Sequence, residues 1–239
     1  MTFLTFDDRP SNSPFIERVW RCHSVAGGTF YSMAEGNLEL VVTRLEGLTL
    51  VTLRGPVTGA RPVQCPSNGR WLAIRFRMGA YFPRLPTAVL MNHSDINFPV
   101  TPDNRFWFEG SPWEIPSFAN AEDFVAKLAR ADAIALEPTI PAAIEGDVPL
   151  ISRRSMQRRF LRVTGMTQAR FRQIERARYA AKLLRAGSSI LDVVQRASYF
   201  DQAHLTRSLK HLVGQTPTAL LRKDAQLSFS YSTEPPPRY

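Results

Sequence analysis

Residues 152–165, SRRSMQRRFLRVTG, align without a gap on residues 201–214, DQAHLTRSLKHLVG, at an offset of 49. Each copy opens on a residue suited to capping a helix, Ser152 or Asp201, and closes on a glycine, Gly165 or Gly214, where a left-handed cap would end it. Between these ends apolar groups fall at i, i+4 and i+7: Met156, Phe160 and Val163 in one copy, Leu205, Leu209 and Leu212 in the other. That spacing predicts two short amphipathic helices, each with one buried stripe. The correspondence runs past the glycines, Thr167 matching Thr216 and Phe171 matching Leu220, so a whole supersecondary unit is duplicated.

Working outward, Ser189 and Asp192 have the spacing of a capping box, and Ile190, Val193, Val194 and Ala197 follow with helical periodicity. Ser198-Tyr199-Phe200 then leaves room for only a tight turn before the Asp201 cap. Helix, tight turn and helix make a helix-turn-helix unit. A leading helix over Ile140–Asp147 would complete the first unit in the same way. Between the copies Phe171, Ile174, Ala177, Ala181 and Leu184 form the stripe of one long linking helix, with Arg172, Arg176, Arg178, Lys182 and Arg185 expected on its remaining surface.

The outward face of the first repeated helix carries Arg153, Arg154, Gln157 and Arg158, and that of the second Gln202, Ala203, Thr206 and Arg207. Arginine and glutamine have the bidentate geometry that reads guanine and adenine edges in the major groove. Neither face holds a carboxylate. Taken singly, each of these side chains is an ordinary solvated group, but Arg158 and Arg207 share one repeat position. The charge distribution agrees: of the net +9, residues 1–149 contribute −3, residues 150–223 contribute +13 and residues 224–239 contribute −1. Clustered cations of this kind gain affinity for a polyanion by releasing its counterions. Lys182 and Lys223, outside the repeated helices, are expected to reach phosphate at most, and His204 and His211 to be structural or phosphate-facing.

Ser152–Gly165 and the run Ile190–Pro217, with Tyr199-x-Asp201-Gln202-Ala203-His204-Leu205-Thr206-Arg207 and Gly214-x-Thr216-Pro217, resemble the double helix-turn-helix domain of AraC/XylS-type transcription regulators. The resemblance spans roughly residues 139–223. It implies binding to double-stranded DNA, with Arg154, Gln157 and Arg158 reading bases in one major-groove segment and Gln202, Ala203, Thr206 and Arg207 in the next. Ser198 stands where the family pattern has glycine, which implies a positive φ there. Weaker similarity in Gly36–Val42 and Gly55-Pro56 suggests that residues 18–118 correspond to the β-rich half of such regulators, which binds a small effector or forms a homodimer contact. RNA polymerase is a further expected partner of an activator.

The residues of that half read as strands in their own right. Leu38–Leu45 and Leu48–Arg54 flank Glu46-Gly47 as a hairpin should. Arg70–Arg77 alternates, placing Leu72, Ile74 and Phe76 on a buried face and Ala73, Arg75 and Arg77 on the other. Trp107, Phe108 and Trp113 are expected to pack on the sheet. Asn120 would cap a helix whose apolar positions are Ala121, Phe124, Val125, Leu128 and Ala131, and the prolines at 138 and 141 suggest a linker near 136–141. The expected organisation is therefore multidomain α+β. Residues 1–118 form a β-rich sandwich or small barrel, 119–138 a helix and linker, 139–223 an all-α double helix-turn-helix domain, and 224–239, rich in Ser and Pro, an unstructured tail. A fragment from Glu137 to Lys223 would then fold and bind DNA alone. An apolar pocket lined by Trp20, Phe30 or Trp71 is expected in the β-rich half.

Other function classes find little support. No run approaches eighteen apolar residues, so no membrane span is expected, and Met1–Pro10 lacks the basic and apolar regions of a secretory signal; a cytoplasmic location follows. Walker, dinucleotide, zincin and nucleophile-elbow motifs are absent, and no catalytic residue, cofactor or metal ligand is assigned. The alternative is a β-barrel metalloprotein or enzyme with an accessory nucleic-acid-binding domain, in which Cys22, His23, Cys65 and His93 would converge on a metal; their spacing matches no zinc pattern. Glu35 and Glu39 read as strand-end surface charges rather than an acid/base pair. Nonspecific nucleic-acid packaging fits less well, because Gln157, Gln202 and Thr206 suit base edges better than phosphates.

Overall fold

The structure, a computed structural model, describes residues 3–146 and 151–222. The tail 224–239, Lys223 and the last residue of the expected leading helix, Asp147, lie outside the described residues. The chain is β-rich in its first half and helical in its second. Strands β1 (Leu4–Pro10), β2 (Ile16–Ser24), β3 (Gly28–Ser32), β4 (Glu39–Leu45), β5 (Leu48–Arg54), β6 (Arg61–Cys65), β7 (Arg70–Phe76), β8 (Ala80–Tyr81) and β9 (Ile96–Phe98) come first. After β10 (Val100–Thr101), β11 (Arg105–Phe108) and β12 (Ser111–Glu114) come helix α1 (Ala121–Arg130) and β13 (Ala135–Leu136). The helices α2 (Thr139–Glu145), α3 (Arg153–Thr164), α4 (Gln168–Arg185), α5 (Ile190–Arg196), α6 (Gln202–Leu212) and α7 (Pro217–Arg222) follow. No helix among the described residues is long and apolar enough to cross a membrane.

Six strands form one antiparallel sheet in the order β1-β2-β7-β4-β5-β9, and β3 pairs with β6 in a separate ribbon. The expected hairpin is β4–β5, with Leu45 opposite Leu48 across Glu46-Gly47. Period-two alternation divides the sheet into two faces. Val19, Leu40, Val42, Val51, Leu53, Ile74 and Phe76 project to one side and build a core with Phe106 and Phe108 of β11 and Phe124, Val125 and Leu128 of α1. Edge-to-face rings tie this layer together, Phe82 meeting both Phe76 and Phe108 at 5.5 Å.

Four expectations need correction. The second face of β7 is not solvated: Ala73 and Arg75 are as buried as Ile74, Arg75 being 1% exposed, because the β3–β6 ribbon and the helical half close over that side. Trp107 does not pack on the sheet; β11 alternates, turning Phe106 and Phe108 inward and leaving Trp107 45% exposed. Ala131 lies past the end of α1 and is exposed. Asn120 precedes α1 without capping it, since its Oδ1 accepts from the Ser117 amide at 2.7 Å instead. In the 136–141 segment, β13 pairs with β8, the Glu137 amide donates to the Gly79 carbonyl at 2.8 Å, and Ile140 is fully buried.

Helix α1 is held to the sheet edge by Arg9, whose guanidinium forks onto both carboxylate oxygens of Glu122 at 2.5 and 2.7 Å. That hydrogen bonding lowers the Glu122 carboxyl from its ordinary 4.5 to about 2. A depressed carboxylate stabilises the fold above its unfolded pKa and loses that contribution as pH falls toward the folded value. Glu122→Gln is therefore expected to flatten the loss of stability between pH 4.5 and about 2 relative to the native chain, measured as denaturation midpoint against pH; parallel curves would assign the pair no role.

Candidate nucleic-acid interface

Local chemistry sets the ends of the repeated helices as their sequences require. Ser152 Oγ accepts from the Ser155 amide at 3.2 Å, and Asp201 Oδ1 from the His204 amide at 2.6 Å. Gly165 and Gly214 follow with φ of +72° and +82°, which β-carbon-bearing residues rarely adopt. Ser189 caps α5 through the Asp192 amide at 3.1 Å, and its hydroxyl also meets the Asp192 carboxylate at 2.6 Å. The turn into α6 has the positive φ that the resemblance implied, 53° at Ser198. It is fixed from both sides: the Tyr199 hydroxyl meets Ser208 Oγ at 2.9 Å, and the Arg176 guanidinium stacks on the Tyr199 ring at 4.6 Å. The stripes Met156, Phe160, Val163 and Leu205, Leu209, Leu212 are all buried, together with Phe171, Ile174, Ala177, Ala181 and Leu184 of α4.

With those stripes buried, the opposite faces lie in solvent. Arg153, Arg154, Gln157 and Arg158 on α3 are exposed, as are Gln202, Ala203 and Arg207 on α6. Thr206 is half-buried, and its hydroxyl donates back to the Gln202 carbonyl at 2.8 Å. Among the described residues no carboxylate pairs with Arg153, Arg154, Arg158 or Arg207, whereas Arg159 and Arg162 are drawn to Glu137 at 3.6 and 3.8 Å. Phe200, read from sequence only as part of the turn, is 91% exposed immediately before α6. The helical pattern gave no sign of it, because it lies between two periodic segments.

The helical half is joined to the β-rich half at the ends of both α3 and α6. The Thr87 hydroxyl donates to the Val163 carbonyl at the end of α3, and the Ala34 and Ala60 amides donate to Leu212 and His211 carbonyls at the end of α6, all at 2.8 Å. Met33 and Ala34 belong to the helical core. His211 Nε2 lies 2.8 Å from Arg170, which also donates to the Thr58 carbonyl. Glycine permits two close approaches: a β-carbon on Gly36 would stand 2.7 Å from the Phe171 ring, and one on Gly214 2.4 Å from the Tyr31 ring.

At the centre of this junction are charges that sequence reading placed on the surface. Glu39 faces Arg75 across β4 and β7 and accepts from its Nη2 at 2.7 Å and from Trp20 Nε1 at 3.2 Å. Glu35 Oε1 lies 2.5 Å from the same Arg75 nitrogen and 3.4 Å from Arg178 of α4, which is 5% exposed. Neither glutamate is a surface charge, and Arg178 is not on the outer surface of its helix. Burial pushes the Glu35 carboxyl above the usual range against the pull of Arg75 and Arg178. For Glu39 burial acts the same way, but the Arg75 charge and the hydrogen bonds from Arg75 and Trp20 prevail and hold it below that range. Arg75 itself stays cationic.

Between the sheet and the β3–β6 ribbon lies a cavity of about 420 Å³, and Trp20, Phe30, Trp71, Glu35, Glu39 and His93 are among its walls. Cys22 and Cys65 also line it as free thiols. Burial pushes Cys22 up to about 12 and raises Cys65. No group of three His, Cys, Asp or Glu among the described residues is arranged to hold a metal ion.

Residues 150–223 match the family model of a helix-turn-helix domain, of the AraC type. The match supports DNA binding and transcription regulation, with DNA as a partner. No curated protein and no solved structure matches the chain.

The junction makes the helical half depend on the other for buried contacts. Glu35→Ala takes from buried Arg178 one of its two carboxylate neighbours, Glu175 on the same helix remaining at 3.6 Å, and is expected to cost about 1–3 kcal/mol. Combining it with Arg178→Met should cost less than the two changes separately, a coupling of about 1 kcal/mol or more by urea denaturation. Strict additivity would show that the two side chains do not interact.

Proposed function

We propose that the chain is a sequence-specific transcription regulator that lays α3 and α6 in successive major-groove segments of double-stranded DNA. The observation that carries this reading is the pair Arg158 and Arg207, at one repeat position, both exposed and, among the described residues, both without an acidic partner, on helices whose ends are fixed by caps. On α3, Arg154, Gln157 and Arg158 reach bases, with Arg153 beside them at the start of the helix. On α6, Gln202 and Arg207 supply bidentate groups, Ala203 permits close approach, and Thr206, its proton engaged by Gln202, offers a methyl or an acceptor. Residues 139–223 form the DNA-binding unit, and α4 joins its two reading helices.

In this reading residues 1–118 sense a small effector in the cavity between the sheet and the ribbon, whose volume suits a small molecule. Glu35 lines that cavity and also pairs with Arg178 of α4, so an occupant that engages Glu35 alters a contact made by the helix joining the two reading helices. A homodimer, contact with RNA polymerase and a cytoplasmic location complete the proposal.

Arg158→Ala and Arg207→Ala should each weaken binding to the preferred site by ~1–3 kcal/mol and relax selection at one half of it only. Selection of sites from random DNA with each variant checks this. Variants that keep the wild-type motif and lose only overall affinity would make both residues phosphate contacts. For the cavity, a panel of aromatic and aliphatic metabolites should include at least one that raises the melting temperature of the native chain, with the rise reduced in Phe30→Ala. A panel without any shift would leave the β-rich half a structural or dimerising role.

A further inference from the structure

A second concavity, on the opposite face of the six-stranded sheet from the effector cavity, has a different character. Its volume is about 610 Å³, and it runs along the ends of β1, β2, β7 and β4, closed on one side by the segment Ile115–Phe118. Cross-strand register sets three basic residues in a row there: His23 of β2 lies opposite Arg70 of β7, and Arg70 lies opposite Arg44 of β4. Directly opposed side chains on adjacent antiparallel strands start from β-carbons only ~4.5–5.5 Å apart, and like charges so placed destabilise the sheet.

Among the described residues no carboxylate pairs with Arg44 or Arg70, so water alone screens these two exposed guanidinium groups. Asp7, the one acid in the lining, is held by Arg21 at 2.7 Å, and Arg21 in turn stacks on the Phe118 ring at 4.5 Å. The groove therefore gathers three arginines and a histidine against one acid, in a half of the chain whose net charge is −3. Basic composition does not explain such a cluster there. Beside the basic row the floor and wall are apolar, formed by Val42, Leu72, Ile115, Pro116 and Phe118.

We infer that this groove binds a small amphipathic oxyanion, a carboxylate or phosphate head on an aliphatic or aromatic body. Two guanidinium groups approaching from adjacent strands present paired N–H donors to one head group, and such charge-assisted bidentate bonds are among the strongest available to a side chain. His23 supplies a third donor on the same edge. The body lies along Leu72, Ile115 and Phe118, removing apolar surface from water. The volume is in the range of small-molecule sites. This site is separate from the effector cavity, although Trp71 and Cys22 border both, and it stands or falls independently of that reading.

The test is calorimetric titration of the full chain with octanoate, octyl phosphate and inorganic phosphate. Both amphiphiles should bind saturably, the tighter one identifying the preferred head, and inorganic phosphate should bind at least tenfold more weakly. Arg44→Ser with Arg70→Ser, both at exposed positions, should weaken amphiphile binding tenfold or more, while Phe30→Ala in the other cavity leaves it unchanged. Three results would overturn the inference. The first is absence of saturable binding by either amphiphile. The second is binding that survives the double arginine variant and is lost in Phe30→Ala, which would place the ligand in the effector cavity. The third is a fall in DNA affinity with a flatter salt dependence in the double variant, which would make Arg44 and Arg70 anchors for DNA phosphates.

Discussion

The Glu35 carboxylate lies between Arg75 of the sheet and Arg178 of the long helix, and the arrangement of both halves depends on that placement. Removing these charges from water costs several kcal/mol per ion, and their mutual attraction offsets this only when every partner is in place. Arg75 meets that condition through the β4–β7 register that sets Glu39 opposite it, and Glu39 through the added Trp20 hydrogen bond. Arg178 has Glu175 of its own helix at 3.6 Å and gains Glu35 when α4 packs against the segment that carries it. A shift of one residue in β7 would turn Arg75 toward the phenylalanine core, and a rotation of α4 would part Arg178 from Glu35 while leaving it Glu175. The ion cluster thus favours one relative placement of sheet and helices, which the apolar contacts of Met33, Ala34 and Phe171 also support.

The helical half was largely legible in the sequence because its determinants are local. Caps, 3.6-residue stripes and terminating glycines act within a few residues, so Ser152, Gly165, Ser189, Asp201 and Gly214 disclosed helix ends that the structure reproduces. The exposed faces of α3 and α6 followed from the same periodicity. The charges at the junction were not legible. Glu35 and Arg178 are far apart in sequence, and a glutamate near a strand end looks the same whether it faces water or a buried arginine. The alternation of β7 distinguished its two faces but could not tell that the second was covered. Arg178 sat in a basic helix where every cation looked solvated. Trp107 failed for the opposite reason, since bulk argued for burial and only the two-residue period of β11 decided otherwise.

These features bear on how the molecule would read DNA. The two repeated helices are joined by α4, and each is also anchored to the β-rich half, α3 through Thr87 and α6 through Ala34 and Ala60. Their separation therefore belongs to the whole chain rather than to the linking helix alone. Within this account, an effector bound beside Glu35 acts on the geometry of that pair, changing which spacing of half-sites is accommodated, without contacting either reading face.

The most direct measurement is a methylation-interference footprint of the full chain on its selected DNA site. Two rigidly joined helices in successive major-groove segments predict two clusters of interfering purines, about one helical turn apart and on one face of the duplex. A single cluster, or two clusters on opposite faces, would contradict the account.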